Sequence, residues 1–399
     1  MHHKDFLPRA QSFRDDLARL RRKLHRHPEL SHHESVTAMV VKNELEQLGL
    51  NPVTGLAGTH GVMATLDSGR DGPTLLLRCD MDALPISEET GADYASEVPG
   101  VMHACGHDAH MTCCLGAARL LTAMKDELRG RVRFLFQPAE EVPPGGAKKL
   151  IEHGAVLDGV DAAVALHVHP QIPVGVVGLR DGEMLAFTDR FRISITGSGG
   201  HGGRPHQAVD AISVAVQVYQ ALQYLVSREN DPMEPLVLTI GRFAGGSAPN
   251  VIAGEVEMEG TVRCLNADLA REMPRKMERV IAGVCASARA DFEFQQEPGY
   301  PVLINDPTIT RKAMASARAL LGDDAVRWLE RPELGGEDFA YFAQALPSLF
   351  FRLGVGTVDQ GIVHPMHHPK FDLDEDALPI GAAVLAKIAM DFVNGEEQV

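Results

Sequence analysis

Apolar residues recur along this chain at the spacings of helices and of strands. Steps of three and four residues predict amphipathic helices, which we place at residues 9–26, 35–48, 109–124, 309–321 and 376–394. Short apolar runs predict strands, at residues 62–66, 74–79, 131–137, 162–166 and 348–353. The run over residues 74–79 suits a central strand covered on both faces. Together these elements are typical of an α/β domain.

The spacing changes near residue 186. From there, polar and apolar residues alternate as in half-exposed antiparallel strands, which we predict at residues 189–197, 236–243, 256–264 and 290–295, with helices at 208–227 and 270–287. This order predicts a small α+β domain at residues 187–299, inserted into a discontinuous domain of residues 1–186 and 300–399. A chain of 399 residues is also long for a single core.

Composition narrows the class of protein. The net charge of −16 and the lack of a long basic run argue against nucleic-acid binding. No apolar run is long enough to predict a membrane span, and residues 1–5 contain no apolar segment of a secretory signal. Six cysteines without a disulfide-like spacing favour a reducing, cytoplasmic location.

Candidate chemistry lies where the predicted strands end. Asp80 and Asp82 follow one apolar run, Glu140 and Glu141 follow the next, and His167 follows a third. Sites of open α/β sheets lie at the carboxyl ends of their strands. Three consecutive strands that end in possible metal ligands are hard to explain by packing alone.

The densest group of such residues is the stretch from Met102 to His110. Cys105 and His107 lie two residues apart, so an extended backbone would point both side chains the same way. A thiolate with an imidazole suits a borderline-soft divalent metal, and Asp108 could orient a ligand by accepting a hydrogen bond from it. Taken alone, the pair is better explained by a buried cysteine and by surface or capping histidines, because short motifs often match by chance.

Seven motifs together resemble the M20 family of metallopeptidases and amidohydrolases. They follow the family's order along nearly the whole chain, at Arg78–Pro85, His103–Asp108, Gln137–Glu141, Leu166–His167, Gly200–His206, Gly336–Phe339 and His367–Pro369. The resemblance is to the aminoacylase-like branch, which contains hippurate hydrolases, N-acyl-amino-acid amidohydrolases and auxin-conjugate hydrolases. It implies a zinc-exopeptidase-like mixed sheet between helices, with an inserted ferredoxin-like lid or dimerisation domain.

The resemblance also implies a two-metal site. Its ligands would be Cys105, His107, Glu141, His167 and His367, and the ions Zn, Mn, Co or Ni. Glu140 would be the general base, although both glutamates could instead be ligands. His201 would stabilise the oxyanion, across a dimer in some relatives. Residues with supporting roles would be Asn250 and Arg263 at the substrate carboxylate, and Asp82 and Asp108 behind the ligands. His169, His364 and His368 are extra histidines, expected to be solvated or to support the ligands from behind.

The expected reaction is hydrolysis of an N-acyl amino acid to a carboxylate and a free amino acid, by a homodimer with no nucleic-acid or membrane partner. Two alternatives are a dipeptidase or exopeptidase, which the family also contains, and a non-catalytic metal-binding scaffold. Glu140 argues against the scaffold, because a base beside a metal serves catalysis.

Overall fold

The computed structural model describes residues 5–395, which form two compact units. The smaller unit comprises Leu185–Leu303 and Glu333–Glu337, and the larger unit comprises the other described residues. The predicted insert, residues 187–299, lies within the smaller unit, and its role as a lid or dimerisation domain stays a prediction. Residues 1–4 of the segment examined for a secretory signal lie outside the described range.

Helices and strands alternate along much of the chain. The strands are β1 (Val53–Thr54), β2 (Val62–Asp67), β3 (Thr74–Asp80), β4 (Arg131–Gln137), β5 (Ala162–Pro173), β6 (Val177–Leu179), β7 (Gly182–Leu185), β8 (Phe187–Thr196), β9 (Gly200–His201), β10 (Leu236–Gly245), β11 (Val251–Ile252), β12 (Glu255–Cys264), β13 (Asp291–Tyr300), β14 (Leu303–Asn305), β15 (Val326–Trp328) and β16 (Ser348–Gly356). The α-helices are α1 (Phe6–Ser12), α2 (Arg14–Arg26), α3 (Ser35–Gln47), α4 (His107–Ala123), α5 (Gly145–His153), α6 (Ala211–Tyr224), α7 (Ala267–Ala288), α8 (Pro307–Leu321), α9 (Ala340–Ala345) and α10 (Ala377–Asn394).

The larger unit is built on a mixed sheet. Among the described residues it has eight strands in the order β1-β2-β4-β3-β5-β16-β6-β15. The four adjacent strands β4, β3, β5 and β16 are parallel to one another, whereas β2 pairs with β4 in the antiparallel direction. Every residue of β3 is buried, as its continuous apolar run predicts. The predicted α/β class is confirmed.

Two predicted elements differ from the observed ones. The helix predicted over residues 9–26 is divided into α1 and α2 at Phe13, whose backbone leaves helical values and whose side chain is buried. The predicted elements also leave residues 138–161 without a helix, whereas α5 begins there at Gly145. A β-carbon at Gly146 would lie 1.9 Å from the carbonyl oxygen of Pro138, so only glycine lets α5 begin this close to the end of β4.

The smaller unit has its own core. Its four-stranded sheet, in the order β10-β12-β8-β13, is antiparallel throughout. Apolar residues of α6 and α7, among them Val218 and Met277, are buried against it together with Ile193 and Met258. Strand β10 pairs with β12 alone among the described residues, so β10 is an edge of this sheet.

The C-terminal helix α10 belongs to the core of the larger unit. It is the one helix within residues 5–395 that is long and apolar enough to cross a membrane, and 83% of that stretch is buried. Two glycines allow α10 to approach α4 closely. A β-carbon at Gly116 would lie 2.7 Å from that of Ala382, and one at Gly381 would lie 2.6 Å from the sulfur of Cys113.

We predict that Gly116→Ala destabilises the protein. Alanine is normally about 0.5–1 kcal/mol better than glycine inside a helix, but overpacking a core typically costs about 1–3 kcal/mol. Because of the 2.7 Å clash with Ala382, the net effect of the substitution should be a lower free energy of unfolding. Thermal unfolding should show a lower midpoint for Gly116→Ala. Gly283→Ala on α7, where an added β-carbon meets nothing within 4 Å, is the control, and a similar rise in both variants would contradict the prediction.

Candidate metal centre

The sheet brings the three predicted strand ends together. Strands β4, β3 and β5 are neighbours and parallel, so the residues that follow β3 and β4 lie at the same edge as the latter half of β5. Asp82 and Glu140 follow β3 and β4. His167 is not at the end of its strand, because β5 continues to Pro173. The edge is nevertheless the one at which open α/β sheets place their sites.

Cys105 and His107 reach this edge by a turn, so the extended backbone considered for them does not occur. Gly106 between them has a φ of 88°, and His107 is the first residue of α4. A β-carbon at Gly106 would lie 2.4 Å from the side chain of Val168 on β5. Glycine is therefore required both for the left-handed backbone and for the close approach to the strand.

The side chains of the five predicted ligands converge. Cys105 Sγ lies 3.5 Å from His167 Nε2 and 3.3 Å from His367 Nε2. Glu141 Oε1 lies 3.4 Å from His367 Nε2 and 3.9 Å from His107 Nε2. Overlapping groups of three donor atoms, such as Cys105, His107 and His167, each fall within 4.8 Å of one another. A shared thiol or carboxylate at the centre could therefore bridge two ions.

Asp82 holds the glutamate pair in place. Its two carboxylate oxygens accept the backbone N–H groups of Glu140 and Glu141, each at 3.0 Å, and Ser31 Oγ donates to it at 2.6 Å. The preceding residue, Ala139, has a φ of 56°, a conformation unusual for a non-glycine residue. Asp82 Oδ1 also lies 3.4 Å from His107 Nδ1. Asp82 thus contacts both the Glu140 segment and His107, and the supporting role expected of it stays a prediction.

Asp108 faces a different set of partners. Its carboxylate accepts from Arg21 Nε and contacts His25 Nδ1, each at 2.8 Å. Although burial opposes the charge, Arg21 and His25 hold the pKa of this carboxyl well below its usual range. Asp108 therefore fastens the start of α4 to α2. The carboxylates that approach Nδ1 of His107 are instead Asp82, at 3.4 Å, and Asp80, at 3.8 Å.

The donor set fits a divalent cation. Both ring nitrogens of His107 and Glu141 Oε1 are buried without a hydrogen-bond partner among the described residues, and such groups are rare without a reason. Burial and then Glu141 raise the pKa of the Cys105 thiol well above its usual value. Burial opposes the charge of His107, but Asp80, Asp82 and Glu141 raise its pKa to about 10. Surplus negative charge in a buried place favours a bound cation.

His167 is already in the state that a ligand needs. Burial, and then the neighbouring His110, hold the pKa of His167 well below its usual range, so its ring is neutral. His167 Nδ1 lies 2.8 Å from the carbonyl oxygen of Val168, to which it donates. The lone pair is then on Nε2, the atom that faces Cys105.

The structure places the remaining predicted residues in the smaller unit. His201 is exposed on β9, and its Nδ1 accepts the backbone N–H of Gly203 at 2.9 Å, so a neutral ring carries its proton on Nε2. Asn250 precedes Val251, the partner of His201 on β11, and its carbonyl accepts the N–H of Gly202. Arg263 lies on β12, and its guanidinium donates to the carbonyl of Leu334. The roles predicted for His201, Asn250 and Arg263 stay predictions.

Two of the extra histidines contact each other, and the third accepts a backbone hydrogen bond. The rings of His364 and His368 stack at 4.5 Å between centroids. His169 Nδ1 accepts the backbone N–H of Gln171 at 3.3 Å.

Sequence analysis assigned no role to two buried residues beside the centre. Asp80 and His110 contact each other at 2.6 Å. Both lie inside or beside the quoted motifs, but only the fold shows that they meet.

The chain matches known proteins along most of its length. The family model of peptidase family M20/M25/M40 matches residues 76–391. The N-acyl-L-amino acid amidohydrolase of Geobacillus stearothermophilus is 46% identical over 290 residues, 73% of this chain and 78% of its own length. Thermostable carboxypeptidase 2 of Saccharolobus solfataricus is 37% identical over 96% of this chain and 97% of its own. A Bacillus subtilis protein described as a dinuclear metal-binding peptidase superposes with a TM-score of 0.83 at 36% identity, covering 96% of this chain and 99% of the other.

We predict that metal binding releases protons and tightens as pH rises. Without a cation, the raised pKa values of Cys105 and His107 keep both groups protonated at neutral pH. A ligand must be a thiolate or a neutral imidazole, so the ion has to displace those protons. Calorimetric titration of metal-stripped protein with Zn²⁺, in buffers of different ionisation enthalpy, measures the release. Cys105→Ala should release fewer protons, and a binding heat independent of the buffer would contradict the prediction.

Proposed function

The chain belongs to peptidase family M20/M25/M40 and is a metal-dependent hydrolase of that family, and we propose that it cleaves N-acyl amino acids. The observation that carries the proposal is the position of Glu140, whose Oε2 lies 4.0 Å from His107 Nε2, beside a cluster of ligand side chains. The relative named N-acyl-L-amino acid amidohydrolase supports the substrate class. The dinuclear metal-binding relative supports two ions.

The residues that would hold two divalent ions are Cys105, His107, Glu141, His167 and His367. Bound ions polarise an amide carbonyl and lower the pKa of water. Glu140 takes the proton of the attacking water and returns it to the leaving nitrogen. Asp82 fixes the backbone at Glu140, so the carboxylate is held in place before substrate arrives. The products are a carboxylate and a free amino acid.

His201 is proposed to donate to the developing oxyanion. The N–H of Gly203 occupies Nδ1, which leaves an Nε2–H donor on an exposed side chain. Gly202 N donates to the carbonyl oxygen of Asn250 at 2.9 Å, so the two segments are tied together. Asn250, and Arg263 in the same unit, are proposed to bind the substrate carboxylate. The contact of Arg263 with Leu334 leaves further guanidinium donors for that role.

A dipeptidase or exopeptidase is the alternative function, and the carboxypeptidase relative keeps it open. Cys105 in the ligand set is the feature that favours the amidohydrolase branch. A non-catalytic scaffold is disfavoured, because Glu140 places a possible general base beside the cluster of ligand side chains. If both glutamates were ligands, another group would have to act as the base.

We also propose that the smaller unit forms a homodimer. Within residues 5–395 the edge strand β10 has no second strand beside it, and natural proteins usually cover or blunt such an edge. Beside it, α6 exposes Ile212, Val216 and Tyr219 at steps of four and three residues, so they share one face. A second copy related by a two-fold axis would present the same β10 edge and the same exposed face of α6, running in the opposite direction. The expected location of this dimer is the cytoplasm, in keeping with six free cysteines.

The test of the function is a substrate panel. Purified protein loaded with Mn²⁺ should release the amino acid from hippurate or an N-acetyl amino acid faster than from a dipeptide. Chelation should abolish the release. Glu140→Gln, which is isosteric, should retain metal but lose about 10²–10⁴-fold in kcat, the usual contribution of a general base. Preferred cleavage of dipeptides would favour the alternative, and near-normal kcat in metal-replete Glu140→Gln would reject the role of Glu140.

Complementation tests the dimer and His201 together. We expect His201→Ala to lower kcat far more than it raises KM, because its contact forms in the transition state. If His201 acts in the site of a partner, mixing His201→Ala with Glu140→Gln should restore part of the activity, since mixed dimers contain one intact site. Ile212→Asp with Val216→Asp should prevent restoration by blocking dimer formation, which light scattering measures. No restoration despite proven subunit exchange would limit His201 to its own chain.

A further inference from the structure

His110 is a buried histidine that the proposed mechanism does not use. It lies one turn along α4 from His107, and none of its side chain is exposed. Its Nδ1 lies 2.6 Å from Asp80 Oδ1, and its Nε2 accepts the backbone N–H of Val168 at 3.0 Å. Both ring nitrogens therefore have partners, and the partners come from the neighbouring strands β3 and β5.

These two contacts determine the tautomer of His110. A backbone N–H can only donate, so Nε2 must be the acceptor. A neutral ring then carries its proton on Nδ1 and donates it to Asp80. Asp80 is fixed in turn, because its other oxygen accepts from Arg78 Nη1 at 2.9 Å. Arg78 also donates to Gln137 and Asp338, so Asp80 is connected through Arg78 to β4 and to the segment before α9.

The peptide group of Val168 continues the chain to a metal ligand. Its N–H donates to His110, and its carbonyl accepts from His167 Nδ1 at 2.8 Å. The rings of His110 and His167 are 4.4 Å apart between centroids. With its proton held on Nδ1, His167 directs the Nε2 lone pair toward Cys105 Sγ, 3.5 Å away. The opposite tautomer would point an N–H at the metal-binding cluster.

We propose that His110 is a positioning residue, which connects Asp80 to the backbone of Val168 and thereby fixes the tautomer and direction of the ligand His167. This inference rests on the proposed metal centre. Outer partners of metal-binding histidines commonly contribute about 10–100-fold to metal affinity. Here the partner acts through one peptide group instead of through a direct bond to the ligand ring.

A direct ligand role for His110 fits the contacts less well. Donor atoms of Asp80, His107 and His110 do lie within 4.8 Å of one another. However, both ring nitrogens of His110 are engaged, and both oxygens of Asp80 already have partners, His110 and Arg78. An ion there would have to break the hydrogen bond to Val168 or the one to Asp80. The group of Asp80, His107 and His110 is therefore better explained as hydrogen bonding that positions the neighbouring ligands than as a third metal site.

The test measures Co²⁺ binding to metal-stripped protein. His110→Phe keeps a ring of similar size but neither hydrogen bond, and its apparent Co²⁺ affinity should fall about 10–100-fold. His110→Gln offers an amide oxygen to Val168 and an amide nitrogen to Asp80, and should recover part of the loss. Leu121→Ala, about four turns from His107 on the same helix and fully buried, is the control for general destabilisation and should bind Co²⁺ like wild type.

A second readout follows the tautomer itself. In the Co²⁺ form, the Nδ1–H of a histidine bound through Nε2 gives a paramagnetically shifted proton signal that disappears in D₂O. The signal of His167, assigned as the one absent from His167→Ala, should shift or broaden in His110→Phe and return in His110→Gln. A purely structural effect on folding would not produce this pattern.

The outcomes distinguish a failure of this inference from a failure of the proposed metal centre. If wild type binds no Co²⁺, the metal centre is refuted and the inference falls with it. If wild type binds Co²⁺ and His110→Phe matches it in affinity and in the shifted signal, the inference alone is wrong. A loss in Leu121→Ala equal to that in His110→Phe would also overturn it. Should His110→Phe not fold, Asp80→Asn replaces it. Arg78 and His110 bind different oxygens of Asp80, so the amide –NH2 of asparagine would face one of these two donors, and the same loss is expected.

Discussion

The structure of the larger unit depends on negative charge that is concentrated at one edge of its sheet. Asp80, Asp82, Glu140 and Glu141 lie at the ends of two adjacent parallel strands, and Arg78 is the buried cation paired with Asp80 there. Burying carboxylates without compensation is costly, since their hydration is lost. The pKa of His107 is raised for the same reason, because a proton on that ring partly neutralises the negative charge of the carboxylates around it. Divalent ions would replace such protons with more charge in the same space, which explains why this edge gathers a thiol and three imidazoles.

Unusual backbone conformations occur at the segments that supply these ligands. Gly106 has a φ of 88° between Cys105 and His107, Ala139 has 56° before the glutamate pair, and His367 itself has 64°. For the two non-glycine residues such values cost about 1–3 kcal/mol each and persist only where surrounding contacts enforce them. Those contacts are visible: Glu34 and Asp82 bind the N–H groups around Ala139, and His367 N donates to Ala104 O at 2.8 Å. Local strain at the centre is thus held by buried hydrogen bonds outside it.

Much of this could be predicted from the sequence, and the limits have physical causes. Periodicity located β3, β4 and β5, and the motifs named the side chains that converge, because residue type and strand ends are local properties. The extended backbone considered for Cys105 and His107 does not occur, since the left-handed Gly106 is required by a contact with Val168, which is distant in the sequence. The sequence could not show that Asp82, and not Asp108, approaches the ring of His107, because the contacts that distinguish the two carboxylates are with residues on other elements. His110 was missed for the same reason: its role depends on Asp80 and Val168, which only the sheet brings beside it.

Exposure is graded across the centre, and this gradient suggests how it is used. His107 is fully buried and His167 is 5% exposed, whereas the side chain of His367 is 53% exposed. The buried ligands have fixed directions, because Asp82 approaches one ring and Val168 holds the other. His367 instead has its backbone N–H bound to Ala104 O and its ring Nε2 within 3.4 Å of Cys105 Sγ and Glu141 Oε1, while about half of its side chain meets solvent. On the proposed function, ions and substrate would enter the cluster on the side of His367, where this side chain meets solvent. The buried histidines would then fix the geometry of the bound ions, and His367 would complete the ligand set at the entrance.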